Sequence, residues 1–131
     1  MESPRQRVGY RILDWGIEAG MASKDPHEPF TRIAVGEAKD MMARGDVQVI
    51  DVREPDEYRR GHVPGAKLIP VATVLARRDE LNHDKDLIFV CAVGQRSALA
   101  CEMAAAVGLT RLYNLEGGTD AWAKAGHDLE M

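Results

Sequence analysis

Residues 87–90 form a short apolar run, Leu-Ile-Phe-Val, that leads directly into Cys91. The run has no helical period and therefore predicts a buried strand. Residues 92–96 follow as a tight loop. From Ser97 onward apolar side chains recur at helical spacing as far as Gly108, a natural helix stop. The N-cap of this helix is expected at Ser97 or at a loop residue just before it. The stretch predicts a strand, a loop and a helix, with the cysteine at the end of the strand.

This position of Cys91 favours a thiolate. Free backbone N–H groups and the helix dipole meet at the start of a helix, and Arg96 adds a full positive charge. The same features make the loop an anion cradle, and its members are Ala92, Val93, Gly94, Gln95 and Arg96. The pattern indicates a nucleophilic cysteine in an anion-binding loop, although a cysteine after a strand can also be a small buried residue. Cys101, in mid-helix, is interpreted as an inert core thiol.

Five apolar runs, near residues 33, 50, 68, 89 and 114, alternate with segments of helical character. The alternation predicts an α/β fold, an open five-stranded parallel sheet with helices on both faces. One of the helices is expected over residues 70–81, with Val71, Val74, Leu75 and Leu81 as its apolar positions. Trp122 is expected to anchor the core from the last helix.

The chain of 131 residues suggests a single domain, preceded by an extension of different character. Within the extension, residues 1–30, Leu13, Ile17 and Met21 fit one stripe of a short helix, and residues 23–29 fit a linker. The extension is interpreted as a helix packed on the domain, with a docking or dimerisation element as the alternative. The domain itself is assigned to residues 31–131.

Composition and net charge limit the classes of molecule that the protein is expected to bind. The net charge of −4 gives no general basic field, so neither nucleic acid nor a membrane surface is expected as a partner. No apolar run approaches the length of a membrane span, and residues 1–30 lack the apolar core of a signal peptide. Two cysteines do not make a disulfide framework, which favours the reducing cytoplasm. The four histidines have no metal-ligand spacing, so no metal site and no cofactor are expected.

Asp51 and Arg53 stand at the end of a predicted parallel strand, the edge at which ligands bind in open α/β sheets. We interpret them as supporting residues that hold loops by hydrogen bonds and ion pairs. His62 lies in the turn of residues 61–66. It could serve as a general base, but a structural hydrogen-bonding role is preferred.

Three segments resemble the signatures of the rhodanese family of sulfurtransferases, in the family's order. The active-site loop is matched by Cys91-Ala-Val-Gly-Gln-Arg96-Ser97. The early signature is matched by residues 49–58 and 61–66, and the C-terminal signature by residues 113–118 with Ala121, Trp122 and Gly126. The resemblance covers residues 31–129.

The resemblance implies a single-domain rhodanese-like protein that works through a persulfide on Cys91. The thiolate would take sulfane sulfur from a small donor, thiosulfate or a persulfide, and pass it to cyanide or a thiol. Residues 92–96 would bind the substrate, while Asp51, Arg53 and His62 would support the site. A persulfide-carrying or sulfur-accepting protein is the other class of partner. Family members that act on thiosulfate often carry more basic side chains in the loop, whereas here only Arg96 is charged.

Two other functions remain open. Phosphatases and arsenate reductases of the same fold place five residues between cysteine and arginine, with a histidine before the cysteine. Here four residues separate Cys91 from Arg96, and Val90 precedes the cysteine. The second alternative is a non-catalytic rhodanese-like docking module, against which the retained cysteine argues.

Overall fold

A parallel sheet lies at the centre of the computed structural model, which describes residues 22–131. Within that range the spatial order of its strands is β1-β5-β4-β2-β3, and every neighbouring pair is parallel. The strands are β1 (Thr31–Ile33), β2 (Val47–Asp51), β3 (Lys67–Leu68), β4 (Asp86–Val90) and β5 (Leu112–Leu115). The predicted five-stranded parallel sheet is confirmed.

Helices make three of the four connections between strands, and a fourth helix follows the last strand. They are α1 (Val35–Arg44), α2 (Pro55–Arg59), α3 (Gln95–Ala106) and α4 (Gly118–Lys124). The helix starts and stops follow the sequence signals. Pro55 occupies the first turn of α2, and Gly45 ends α1 in a left-handed conformation with φ 86°.

The central strand β4 is buried on both faces, which explains its continuous apolar sequence. Leu87 and Phe89 belong to a core cluster with Ala100, Cys101 and Ala104 of α3. Ile88 and Val90 belong to the opposite cluster, together with side chains of α1 and α4. The α1 and α4 members of that second cluster include Ala38, Met41 and Trp122. The prediction of helices on both faces is confirmed.

The prediction of a helix over residues 70–81 is wrong. The segment contains two short 3-10 turns, Val71–Thr73 and Arg78–Glu80, and Leu75 is 42% exposed instead of buried. The backbone N–H of Val71 donates to the carbonyl of Val52 beyond the end of β2, at 2.9 Å. This contact holds the start of the segment against the sheet edge, and the hydrogen bonds that follow, such as those from Val74 to Val71 and from Leu81 to Arg78, span three residues as in a 3-10 turn.

The segment before β1 is tied to the sheet by a short antiparallel bridge. The N–H of Ser23 donates to the carbonyl of Arg32, and the N–H of Arg32 donates back, both at 2.8 Å. The helix predicted from Leu13, Ile17 and Met21 lies outside the described residues, and the domain boundary at residue 30 stays a prediction. Among residues 22–131, none of the helices combines the length and the apolar character needed to cross a membrane.

Candidate active site

Cys91 follows directly after β4, at the carboxyl edge of the sheet. Its neighbours in the sheet are β5 on one side and β2 on the other. The connections from β4 and from β2 leave in opposite directions across the sheet, and such a point is where open α/β sheets bind ligands. The residue is only 1% exposed.

The sulfur of Cys91 accepts hydrogen bonds from the loop that follows it. The backbone N–H of Gly94 donates to Sγ at 3.1 Å, and the N–H of Ser97 donates at 3.3 Å. The hydroxyl Oγ of Ser97 lies 3.4 Å from the same sulfur. Donors converging on one sulfur stabilise a negative charge there. The loop is therefore an anion-stabilising cradle centred on Cys91.

The pKa of the Cys91 thiol is lowered below its ordinary value of 9.0 by a balance of opposed effects. Burial is the largest single effect and raises the pKa. Hydrogen bonds from the Ser97 hydroxyl and from the N–H groups of Ser97, Gly94 and Val93 together outweigh it. Attraction between the thiolate and Arg96 acts in the same direction. The result is a cysteine that forms its nucleophilic thiolate more readily than a free one.

The helix α3 begins earlier in the loop than Ser97. Its N-cap is Gly94, in the left-handed region with φ 106°, and the first helical residue is Gln95. Of the two predicted caps, the structure selects the loop residue. Ser97 thus lies in the first turn of the helix, where both its N–H and its hydroxyl reach Cys91.

The start of α4 holds the other side of the loop. The N–H of Thr119 donates to the carbonyl of Cys91 at 2.9 Å, and the N–H of Asp120 donates to that of Ala92 at 3.1 Å. A Cβ on Gly118 would lie 2.1 Å from the carbonyl oxygen of Cys91, and Gly118 has φ +57°. Only glycine allows this approach of two backbones. The Gly117-Gly118 pair therefore fixes the loop.

A buried asparagine supports Ser97 from β5. The hydroxyl of Ser97 donates to Oδ1 of Asn114, and Nδ2 of Asn114 donates to the carbonyl of Gly94 at 3.2 Å and to Glu116 at 2.7 Å. Asn114 is fully buried, and its oxygen and nitrogen are both occupied. Because the Ser97 hydroxyl has one proton, Oδ1 of Asn114 and the Cys91 sulfur compete for it, and Asn114 also fixes the turn at Gly94.

Arg96 is engaged by a carboxylate of α2. It donates two hydrogen bonds to Glu57, at 2.7 and 2.9 Å, in the bidentate geometry that stabilises such pairs. The side chains of Arg96 and Glu57 are 36% and 23% exposed. The hydrogen bonds from Arg96 lower the pKa of Glu57 to about 2. The free cation that the sequence suggested at the end of the loop is paired in the structure.

The other loop side chains are uncharged. Val93 is 54% exposed, Gln95 is also exposed, and Ala92 and Gly94 are partly buried. Of the five residues named as substrate-binding, Gly94 donates its N–H to the sulfur, Val93 and Gln95 are exposed, and Arg96 is neutralised by Glu57.

Asp51 and Arg53 form a buried ion pair beyond the end of β2. Asp51 accepts from the backbone N–H, Nε and Nη2 of Arg53 at 2.7–3.1 Å, and Nη2 also donates to the carbonyl of Gly61 at 2.8 Å. The pair ties the end of β2 to the turn after α2. Within residues 22–131, the hydrogen-bond partners of the Cys91 sulfur are Gly94 and Ser97, and neither Asp51 nor Arg53 is among them.

Both ring nitrogens of His62 face protein groups. Nδ1 lies 2.9 Å from the carbonyl of Tyr58, the ring stacks on the Tyr58 ring with centroids 3.6 Å apart, and Nε2 lies 3.4 Å from a carboxylate oxygen of Glu130. His62 thereby links α2 to the residues after α4. Its contacts are those of a structural residue.

Cys101 contrasts with Cys91. It is fully buried in the core on the α3 side of the sheet, and burial raises the pKa of its thiol strongly. Both cysteines are free. The chain therefore carries one thiol in an activating environment and one in a deactivating environment.

The sequence did not assign roles at the site to Ser97, Asn114, Glu57 or Gly118. Ser97 carried a usable signal, because it follows Arg96 at the start of a predicted helix. Glu57 and Asn114 carried none, since their partners lie 39 and 17 positions away along the chain. The doublet Gly117-Gly118 indicated a turn but not the backbone it approaches.

The comparisons with known proteins agree with this geometry. The family model for the rhodanese-like domain matches residues 34–125. The chain belongs to the rhodanese-like domain family. Its sheet, its loop at Cys91 and its early and C-terminal signatures all fall within the matched residues, apart from the first strand and Gly126 at the borders.

Individual relatives span different shares of this chain. An uncharacterized protein of Bacillus subtilis, YqhL, is 40% identical over 75 residues, which are 57% of this chain and 60% of that protein. The thiosulfate sulfurtransferase GlpE of Pseudoalteromonas translucida is 29% identical over 73% of this chain and 91% of that protein. A crystal structure of a rhodanese-like domain protein from Staphylococcus aureus matches with a TM-score of 0.68 and 37% identity, covering 76% of this chain and 96% of the other.

Proposed function

We propose that this protein is a sulfurtransferase that carries sulfane sulfur as a persulfide on Cys91. The observation that carries the proposal is the convergence of the Gly94 and Ser97 N–H groups on one sulfur, with the Ser97 hydroxyl 3.4 Å from it. The sulfurtransferase named among its relatives, at 29% identity over most of that protein's length, supports the same activity.

The chemistry is a double displacement. The Cys91 thiolate attacks the outer sulfur of a donor such as thiosulfate, the donor's S–S bond breaks, and sulfite leaves with the electron pair. The enzyme then holds a terminal sulfur anion, at a place where the loop N–H groups can donate to it. Cyanide or an acceptor thiolate attacks that terminal sulfur and restores the Cys91 thiolate. The first step exchanges one S–S bond for another, and the second breaks the Cys91 S–S bond while forming a C–S bond with cyanide or an S–S bond with the acceptor thiol, so neither step needs an oxidant.

Two features of the site suit this reaction. The lowered pKa of Cys91 supplies the attacking thiolate, and it also makes the same sulfur a good leaving group in the second step. The side chains of residues 92–95 carry no charge, so the loop would hold a transferred sulfur atom through its backbone N–H groups. A donor or acceptor protein would contact the exposed side chains of Val93 and Gln95 on the surface of the loop. A compartment that keeps thiols reduced, the cytoplasm by expectation, would keep Cys91 available.

Intact-protein mass spectrometry tests the proposal. The protein is incubated with thiosulfate, and separately with a persulfide donor, and cyanide is then added. We expect a gain of one sulfur atom that cyanide removes, that is absent in Cys91→Ser and that remains in the matched variant Cys101→Ala. If neither donor loads the protein, the activity is ruled out and the docking-module function takes its place.

A further inference from the structure

The positive charges around the loop are balanced by carboxylates. Arg96 is held by Glu57 through two hydrogen bonds. Arg53, whose charge also acts on Glu57, is paired with Asp51 at 2.7 Å. Two guanidinium groups and two carboxylates therefore sum to zero net charge. Glu57 remains ionised at neutral pH because its pKa is lowered to about 2.

A dianionic donor gains little from such a site. To reach a sulfur that is 1% exposed, thiosulfate must give up part of its hydration, and uncompensated positive charge nearby is what repays that cost. Because Arg96 is paired with Glu57, its charge offsets only part of the cost of removing water from thiosulfate. The only side chain of residues 92–95 that is both large and apolar is Val93, which is 54% exposed. A carbon substituent on a donor would find apolar surface there.

Resting on the sulfurtransferase activity proposed above, we infer that Glu57 is a specificity-determining residue that acts through Arg96. By neutralising Arg96 it favours hydropersulfides of organic thiols, which carry at most one charge at the reacting end, over dianionic sulfur oxyanions such as thiosulfate. The substrate class of the site is thereby set by a carboxylate of α2 that lies outside the loop.

The favoured half-reaction balances without a further reagent. The Cys91 thiolate attacks the terminal sulfur of R–S–SH, a new S–S bond forms on Cys91, and the donor's S–S bond breaks. The electron pair leaves with R–S⁻, and the proton remains on the transferred sulfur. With thiosulfate the same attack releases sulfite, a dianion that must leave the same neutral site.

The test compares second-order rates of Cys91 loading, followed by quenched intact-mass measurement. The two donors are thiosulfate and the hydropersulfide of N-acetylcysteine methyl ester, generated in situ, which has no charge away from its sulfur. In the wild-type protein we expect faster loading from the hydropersulfide. Glu57→Gln keeps a hydrogen-bonding side chain but frees the charge of Arg96, so loading from thiosulfate should rise about fivefold or more at low salt.

Asp56→Asn is the matched control. Asp56 is the preceding residue of α2, is exposed, and pairs with Arg60 at 3.4 Å instead of with Arg96. Asp56→Asn changes the net charge by the same amount as Glu57→Gln, and we expect it to change the loading rate from either donor by less than about twofold. The rise caused by Glu57→Gln should also disappear in the Arg96→Gln background, since the effect requires both residues.

The dependence of the loading rate on salt concentration gives a second readout. In the wild-type protein, with a net charge of −4 and a neutral loop, loading from thiosulfate should rise with ionic strength as repulsion is screened. In Glu57→Gln it should fall with ionic strength. The inference is overturned if wild-type loading from thiosulfate falls with salt, or if Glu57→Gln and Asp56→Asn behave alike. Failure of both donors to load Cys91 would instead overturn the proposed activity itself.

Discussion

The hydroxyl oxygen of Ser97 lies 3.4 Å from the sulfur of Cys91, and the N–H of the same residue donates to that sulfur at 3.3 Å. One residue at the first turn of α3 therefore supplies a backbone donor to the thiolate and a hydroxyl that can donate to it in competition with Asn114. The hydroxyl is oriented by Asn114, which lies on the neighbouring strand β5. The reactivity of the cysteine thus depends on the packing of the helix against the sheet.

Removing the Ser97 hydroxyl should raise the pKa of Cys91. Ser97→Ala keeps the backbone N–H but loses the side-chain donor, and one hydrogen bond to a charged group corresponds to a change of about one pKa unit. The pH dependence of alkylation by iodoacetamide measures it. Thr73→Ala, which removes a hydroxyl that donates to the carbonyl of Pro70, is the control. An unchanged pKa in Ser97→Ala would show that the hydroxyl does not stabilise the thiolate.

The two cysteines should differ in reactivity. At neutral pH we expect iodoacetamide to modify Cys91 at least about tenfold faster than Cys101, because hydrogen bonds lower the pKa of the first thiol and burial raises that of the second. Peptide mapping after brief labelling measures the ratio. In urea, where the fold is lost, the two rates should converge. Equal slow labelling of the folded protein would favour the docking module.

Adding a single methyl group at Gly118 should displace the loop. In Gly118→Ala the new Cβ would meet the carbonyl of Cys91 at 2.1 Å and the backbone would be held at a strained positive φ. We expect a loss of stability of about 2 kcal/mol or more in urea unfolding, with slower loading of Cys91. Gly36→Ala is the control, since its Cβ would meet nothing within 4 Å. Similar stability of the two variants would contradict the close approach.

Breaking the buried Asp51–Arg53 pair should destabilise the fold. The two side chains are 0% and 7% exposed, so Asp51→Ala leaves the Arg53 guanidinium buried without its counter-charge. Such a loss costs about 3–5 kcal/mol, measured as the change in the free energy of unfolding. The exposed Asp79→Ala should change it by less than about 0.5 kcal/mol. A small effect of Asp51→Ala would show that water reaches the pair.

The Glu57–Arg96 pair should stabilise the fold in a pH-dependent way. The pKa of Glu57 is lowered from 4.5 to about 2 in the folded protein, so the stabilisation is complete above about pH 5 and is lost as the pH falls towards 2. Because Arg96 is partly exposed, the difference between wild type and Glu57→Gln should stay below about 1 kcal/mol. Urea unfolding at several pH values measures it. A difference that grows on acidification would contradict the assignment.

Much of the fold could be predicted from local sequence signals. The apolar run before Cys91 predicted a buried strand, and Gly108 predicted where α3 ends. These signals act through the conformation of a residue and its neighbours, so a linear sequence carries them. Residues 70–81 show the limit. Their apolar spacing resembles a helix, yet the segment forms two short 3-10 turns, and its start is held by a contact of Val71 with Val52 that exists only in the folded sheet.

Part of the site could also be predicted, because some of its features depend only on neighbouring residues in the sequence. Cys91 and its loop are contiguous, and their position between a strand and a helix was readable. The pairing of Arg96 with Glu57 and the orientation of Ser97 by Asn114 arise only when distant segments meet at the sheet edge. The sequence suggested a free cation at Arg96, whereas the fold supplies its counter-charge.

Transfer of an isotopically labelled sulfur tests the central claim most directly. A donor whose outer sulfur carries a heavy isotope is given to the protein, the product is mapped by peptide mass, and cyanide is then added. We predict the heavy sulfur first on the peptide that contains Cys91 and then, quantitatively, in thiocyanate, with Cys101 unlabelled throughout. Heavy thiocyanate formed at the same rate by Cys91→Ser, or a Cys91 peptide that never carries the label, would contradict a persulfide on this residue.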